Sequence, residues 1–542
     1  MATVCISLAS CKVGPDYQTP KNDIPDAWHE TKPMTATPKA EEQQAAPELD
    51  KKALAEIEWW KQFNDPVLDA LIEKGLAQNY DLKIAKARIA EARAQLAQAK
   101  SALLPEMDIM GSAEREANEI AFGTTTFPKP FNIFQTGFDA SWETDVFGGN
   151  RRIFEAVGAL FGASKADMDE ARISALAEIA RTYINIRAYQ AQVAAAQDTV
   201  TEEENNLKIR QELFHAGSTS ETDAIHARTS DMQAKAQLLN YQSLLAASEY
   251  NLDLLLGEKP GTTHGLVAEV KPIPVADKDI VFTAPAEVIA NRPDVRAAER
   301  RLASSNAEIG AAKSKLFPEL SLGGFFGFFS PVSDTLIQAG SKSWNITGSI
   351  HWPILNYNEV TAGINLAKAQ HEEALEIYKK SVTAALVDVE TSLSSYNKQE
   401  QARILADKTV TENQHALDIA NMRYKSGMDA FTEVLDAQKT FYASKIQAAA
   451  TTASSSQDFI AVYKSIGGGW KAAKAPDKAS QKTPEQPAIT PAAPVHPVAT
   501  QPNPAQPQEL LPASSDTSFA PPAQTVDSPA TPQKIYPAFI KR

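Results

Sequence analysis

At 542 residues with a net charge of −14, the chain is long enough for several domains but too acidic for a phosphate-binding surface, and no Lys/Arg stripe offsets that balance. It contains no run of about 18 apolar residues, which excludes a transmembrane helix. Both cysteines, Cys5 and Cys11, precede the body, which therefore has neither a disulfide framework nor a thiolate metal site.

The first element is Leu8-Ala9-Ser10-Cys11, which has the form of a bacterial lipoprotein cleavage site. Residues 1–10 read as a signal-peptide remnant, shorter than a full signal and without a basic start. Cys11 reads as the lipid-bearing first residue of an extended segment over 11–50, and Lys12 in place of an acidic residue suits export to an outer membrane.

The body says the same thing twice, once over 51–265 and again over 266–470. Arg93 to Gly111 and Ser305 to Gly323 each carry a helical pattern into a Leu/Phe-Pro-Glu junction, at Pro105 and Pro318. Downstream, the stretch from Phe214 through Gly217 to Thr222 matches that from Tyr424 through Gly427 to Thr432. A repeat this long is a duplicated half rather than a solenoid unit.

Each half predicts two strands, about 105–117 and 131–146 in the first and 318–330 and 342–355 in the second. Phe134, Phe138 and Trp142 alternate with Gln135, Asp139 and Glu143; Trp344, Ile346, Ile350 and Trp352 alternate with Asn345, Thr347 and His351. Ten-residue strands with this period and terminal aromatics suit a membrane β-barrel wall, with Trp142, Trp344 and Trp352 as its aromatic girdle. A soluble sandwich would also alternate, but four strands make a poor one beside such long helices. Four strands cannot close a barrel alone, so the chain must oligomerise to span a membrane. A dimer would supply eight strands around a filled interior; a trimer would supply twelve around a lumen.

Two proline-free helices follow the strands, about 150–214 and 359–424. In the first, Ile179, Ile186, Val193, Val200, Leu207 and Phe214 recur every seven residues, while Gln190, Gln197, Glu204 and Gln211 form a polar seam. In the second, Leu375, Tyr378, Val382, Leu386, Val389, Leu393 and Tyr396 follow 3,4 spacing. Each helix spans roughly 95 Å, too long for a globular domain. An ordinary antiparallel coiled coil would explain the helices alone, but the polar seam suits helices packed around water and favours the trimer.

These pieces resemble the TolC-like outer membrane efflux family, in its lipoprotein branch serving resistance-nodulation-division pumps. The resemblance rests on the stretch from Leu8 to Tyr17, on Trp59-Trp60 through Pro66, on Ser141-Trp142 through Gly148, and on Asn291-Arg292-Pro293-Asp294-Val295-Arg296. It implies a homotrimer whose 12-stranded outer membrane barrel continues into a long helical barrel, closed at a periplasmic tip. It also implies a periplasmic adapter, or membrane fusion protein, and an inner membrane transporter as partners, with outer membrane lipid around the barrel. By the same resemblance, Glu433 and Asp436 face the constriction, Asp223 is the first-half counterpart of Glu433, and Tyr424 belongs to an interhelical latch. Where some relatives carry a basic latch residue two positions after the glycine, this chain has Asp429.

No P-loop, dinucleotide fingerprint or helical HExxH motif points to an enzyme or a cofactor beyond the lipid on Cys11. Residues 471–542, rich in Pro, Ala, Thr and Gln, read as a disordered periplasmic tail. Two other functions share much of this pattern. One is a type I secretion channel; the other is a periplasmic coiled-coil adapter or scaffold lipoprotein, which has no need of amphipathic hairpins.

Overall fold

The computed structural model describes residues 12–30, 58–117, 121–122, 125–126, 130–276 and 284–468. Cys11, the part of the 11–50 segment beyond Glu30, and the predicted tail lie outside them. All described residues belong to one compact unit, so the two repeats are not separate bodies.

Two helices open the first repeat. Asp65 caps α1 (Pro66–Gln78) by accepting from the Val67 amide at 2.9 Å, with proline at the first helical position, where no N–H is needed. Asn79 caps α2 (Tyr80–Ser101) through the amides of Asp81 and Leu82. The first hairpin follows, β1 (Glu106–Glu116) and β2 (Phe131–Thr144). A two-residue ribbon, Ala121–Phe122 with Thr125–Thr126, lies between them. The long helix α3 (Gly149–His215) turns back into α4 (Glu221–Leu255), and α5 (His264–Val267) and α6 (Pro285–Asn291) link the halves. The second repeat is α7 (Pro293–Ser314), β3 (Glu319–Ser330), β4 (Lys342–His351), α8 (Tyr357–Lys425) and α9 (Phe431–Ser465). Helices α4 and α9 are each 35 residues long, matching the duplication seen in the sequence.

All four strands pair antiparallel in the order β1-β2-β3-β4, so the two hairpins meet through β2 and β3. β1 and β4 are left as open edges. Two predicted strand ends fall short. β2 stops at Thr144 because Asp145 turns to accept from the Asn150 and Arg151 amides at 3.0 and 2.9 Å. β4 stops at His351, since Pro353 cannot donate to a ladder.

The main core lies where the chain enters α1. Trp59, Trp60 and Phe63 pack with Leu176, Ile179 and Tyr183 of α3, Leu252 of α4, and Phe459 and Tyr463 of α9. Trp59 stacks on Tyr463 with centroids 5.9 Å apart. This core corrects one part of the polar seam. Gln190 is buried, accepting from Arg187 at 2.8 Å and donating to the Val267 carbonyl at 2.7 Å, so it does not face water. Gln197 and Glu204 are exposed, as a wet seam requires.

Candidate functional site: the sheet faces, the corner and the helical tip

The register sorts the sheet into two unlike faces. Met107, Ile109, Phe138, Trp142, Leu322, Phe326, Trp344, Ile346 and Ile350 share one face, and all are at least 37% exposed in the single chain. Each large side chain left in water forgoes about 1.5–3 kcal/mol of burial, so this face calls for an apolar surround. Trp344 and Trp352 are eight residues apart, roughly 26 Å along an extended chain. At the roughly 40° strand tilt of a membrane barrel this projects to about 20 Å, close to an apolar band about 25 Å tall.

The opposite face carries Glu106, Asp108, Glu114, Glu116, Asp139, Glu143 and Glu319, and no described strand places a Lys or Arg on it. Asp108 stands directly across from Asp139, a like-charge pairing that weakens a sheet and is tolerated where solvent or a counter-ion screens it. The sequence reading saw Asp139 and Glu143 but not the carboxylates of β1, which became visible only once the register put them on the same side. One aromatic ring on this face is tucked away. Phe325 lies over the facing glycines Gly137 and Gly327 and is 7% exposed; a Cβ on Gly137 would meet its ring at 2.9 Å and one on Gly327 would meet it at 2.7 Å.

At the corner between sheet and helices, the N-terminal segment is strapped down. Val13 N–H donates to the Phe147 carbonyl at 3.2 Å, and Lys12 pairs with Glu155 at 3.0 Å. Arg152, 1% exposed at its side chain, donates to the carbonyls of Val13 and Gly14 and to Asp16 and Glu155. Farther along, Asn306 donates to the Pro15 carbonyl at 3.0 Å and Asn22 to the Tyr378 hydroxyl at 2.7 Å, before Trp28 enters the main core. The sequence reading missed Arg152, whose partners apart from Glu155 lie more than a hundred residues upstream.

A second buried arginine ties the helices of the second repeat together. Arg292 grips Asp294 through Nε at 3.0 Å and Nη2 at 2.8 Å, reaches Asp388 of α8 at 3.0 Å, and donates to the Ser465 carbonyl at the end of α9. The Asn291 to Arg296 motif had marked this place without showing what it holds.

The far ends of the helices hold the predicted gate residues. Both turns use a glycine of positive φ, Gly217 at 73° and Gly427 at 68°, each closing the preceding helix with a 2.9 Å bond to Phe214 O or Tyr424 O. The turns then differ. In the first, Asp223 accepts from Thr219 Oγ1 at 2.7 Å and Ser220 Oγ at 2.8 Å and completes a capping box on α4. The Thr219 and Ser220 hydroxyls hold its pKa below the usual carboxylate range. In the second, Ala430 gives α9 no side-chain cap, and Asp429 instead takes Arg423 in a two-pronged ion pair at 2.5 and 2.9 Å. Arg423 lowers the Asp429 pKa, so this pair is complete above the ordinary carboxylate range and is lost as pH falls through the lowered value.

Tyr424 packs its ring against Phe431 with centroids 5.1 Å apart. Glu433 and Asp436 lie beside Arg423 and Asp429 in a groove of about 350 Å³ between α8 and α9. The structure thus gathers Glu433, Asp436 and Tyr424 at one helical tip, while Asp223 caps its counterpart.

The profile of the family described as outer membrane efflux protein matches residues 71–258 and 284–468. The pyoverdine export outer membrane protein OpmQ of Pseudomonas putida is 30% identical over 430 residues, 78% of this chain and 90% of that protein. The toluene efflux pump outer membrane protein TtgC of Pseudomonas putida is 28% identical over 494 residues, 90% and 98% of the two chains. Among solved structures, the outer-membrane channel OprN superposes with a TM-score of 0.73 at 29% identity, covering 85% of this chain and all of that one. The CmeC outer membrane channel of Campylobacter jejuni superposes at 0.75 with 24% identity, covering 85% and 95%, and supports the fold. The duplicated hairpins, the long paired helices and these matches together place the chain in the outer membrane efflux protein family.

Proposed function

We propose that three copies of this chain form the exit duct of a tripartite efflux system, passively conducting substrates from the periplasm to the exterior through an iris-like gate at the helical tip. One observation carries the reading: a four-stranded sheet with an exposed apolar face, an acidic opposite face and two open edges. Lipid does not tolerate an open edge, and joining β1 of one copy to β4 of the next turns both edges into pairings. Twelve strands then enclose a lumen lined by the carboxylate face. A periplasmic adapter and an inner membrane transporter of the resistance-nodulation-division class complete the system and supply the energy. The acidic wall favours cationic cargo, while a duct of this kind leaves most substrate choice to the pump.

Cys11 would carry the lipid. Its neighbour Lys12 is held by Glu155 near the start of α3, which supports an anchor entering the membrane where the sheet ends. Tyr424, Glu433 and Asp436 would form the gate, with Asp223 stiffening the neighbouring tip.

Native mass spectrometry of the detergent-extracted protein tests assembly and anchor together. The expected particle holds three chains, each beginning at Cys11 and heavier by a lipid, with a polypeptide total near three times 58.7 kDa less the removed leader. A monomer released without detergent would contradict the duct, and an unmodified Cys11 would contradict the anchor alone.

A further inference from the structure

The three tryptophans expected to form a membrane girdle do not share one environment. The Trp142 indole N–H donates to the Leu103 carbonyl at 3.3 Å, and the Trp352 indole N–H donates to the Leu316 carbonyl at 3.2 Å. Leu103 and Leu316 are equivalent positions in the two repeats, each two residues before a junction proline. The turns around them are the same. Leu103 N–H reaches Lys100 O at 3.2 Å and Leu316 N–H reaches Lys313 O at 3.1 Å; Leu104 reaches Ser101 O at 2.9 Å and Phe317 reaches Ser314 O at 3.0 Å.

Leu103 and Leu316 each lie two residues past the end of α2 or α7, in the turn into the strand, and the indole N–H gives that turn carbonyl a partner. In both halves the indole comes from the far end of the hairpin, so each bond ties the outgoing strand to the helix that delivers the incoming one. Trp142 and Trp352 are 37% and 54% exposed, whereas Trp344, at the other end of β4, is 71% exposed.

We propose that Trp142 and Trp352 are corner pins that fix the transmembrane wall to the helical duct, and that Trp344 alone of the three serves only the lipid interface. The inference rests on the exit-duct reading, because the corner matters to conduction only if the lumen crosses it. Two copies of one bond, at equivalent places in a duplicated chain, reflect a constraint on the corner rather than a chance contact. The pins keep the sheet and the helices from shearing against each other where the lumen changes from strand to helix.

The test compares Trp142→Phe, Trp352→Phe and the double variant with Trp344→Phe, using the full chain in the outer membrane. Phenylalanine keeps an aromatic ring for lipid but removes the donor. The temperature at which the trimer dissociates in SDS should fall by roughly 3 to 5 °C for each pin variant and by more for the double. Trp344→Phe should leave it unchanged. In planar bilayers the double variant should flicker among subconductance levels that the wild type and Trp344→Phe do not visit. Benzothienylalanine at 142 and 352, which keeps the ring shape and replaces N–H with sulfur, should reproduce the losses. Equal effects for all three tryptophans, or none for the double variant, would overturn the assignment. A wild type that never conducts would count against the duct instead, and the dissociation temperatures would still decide the pins.

Discussion

Arg292→Ala is expected to destabilise the folded chain by about 2 kcal/mol, because the guanidinium is buried while its carboxylate partners are partly exposed and regain water when it goes. Three groups lose their donor at once: Asp294, Asp388 and the Ser465 carbonyl. They belong to α7, α8 and the end of α9, so the variant loosens the joint among the helices of the second repeat rather than one helix. Arg292→Lys keeps a charge but not the planar fork, and should recover only part of the loss. The resistance of the proposed trimer to heat or urea in detergent reads this directly. A variant as resistant as the wild type would mean that the joint is held by apolar packing, with Ile289, Val295 and Tyr378 as its main contributors.

Removing charge from the conduction path should have a comparably large effect on ion selectivity. In the proposed trimer, Glu433→Gln with Asp436→Asn takes six carboxylates from the tip, and Asp108→Asn with Asp139→Asn takes six from the wall. At about 1 kcal/mol of altered interaction with a passing ion, the potassium-to-chloride permeability ratio should fall roughly fivefold for the narrower of the two places. Reversal potentials across a salt gradient measure it for each pair separately. If the tip pair changes the ratio and the wall pair does not, the tip is the filter; the opposite result moves the filter to the barrel. No change in either pair would remove both from ion selection. Because Arg423 is already engaged by Asp429, it does not neutralise Glu433 or Asp436 as a free cation would, and the tip keeps its negative character.

Much of this architecture was legible because its signals are periodic and local. The alternation through Phe134, Phe138 and Trp142, and again through Trp344 and Ile350, reports on a strand without needing a partner. The heptads through Ile179 and Val200, and the absence of proline, marked both long helices to within two residues of their observed ends. What escaped depends on distant pairs. The main core joins Trp59 to Tyr463, about four hundred residues apart, and the carboxylate wall needs the β1 to β2 register before Asp108 can face Asp139. Gln190 looked like a seam residue because heptad position says nothing about the Val267 segment that folds over it.

At the tip, the Ser220 to Asp223 spacing carries a capping-box signal, which gives Asp223 a local role that its alignment with Glu433 does not suggest. The Arg423 to Asp429 pair had no such signal. It spans six residues across a turn that only the left-handed Gly427 creates.

Single-channel recording of the purified wild-type protein in a planar bilayer tests the central claim most directly. The account predicts discrete, cation-selective conductance steps from the detergent-extracted trimer, small while the tip is closed and less cation-selective when the tip carboxylates are neutralised. Membrane-inserted trimer that gives no steps under any applied voltage, or steps selective for anions, would contradict an acidic exit duct.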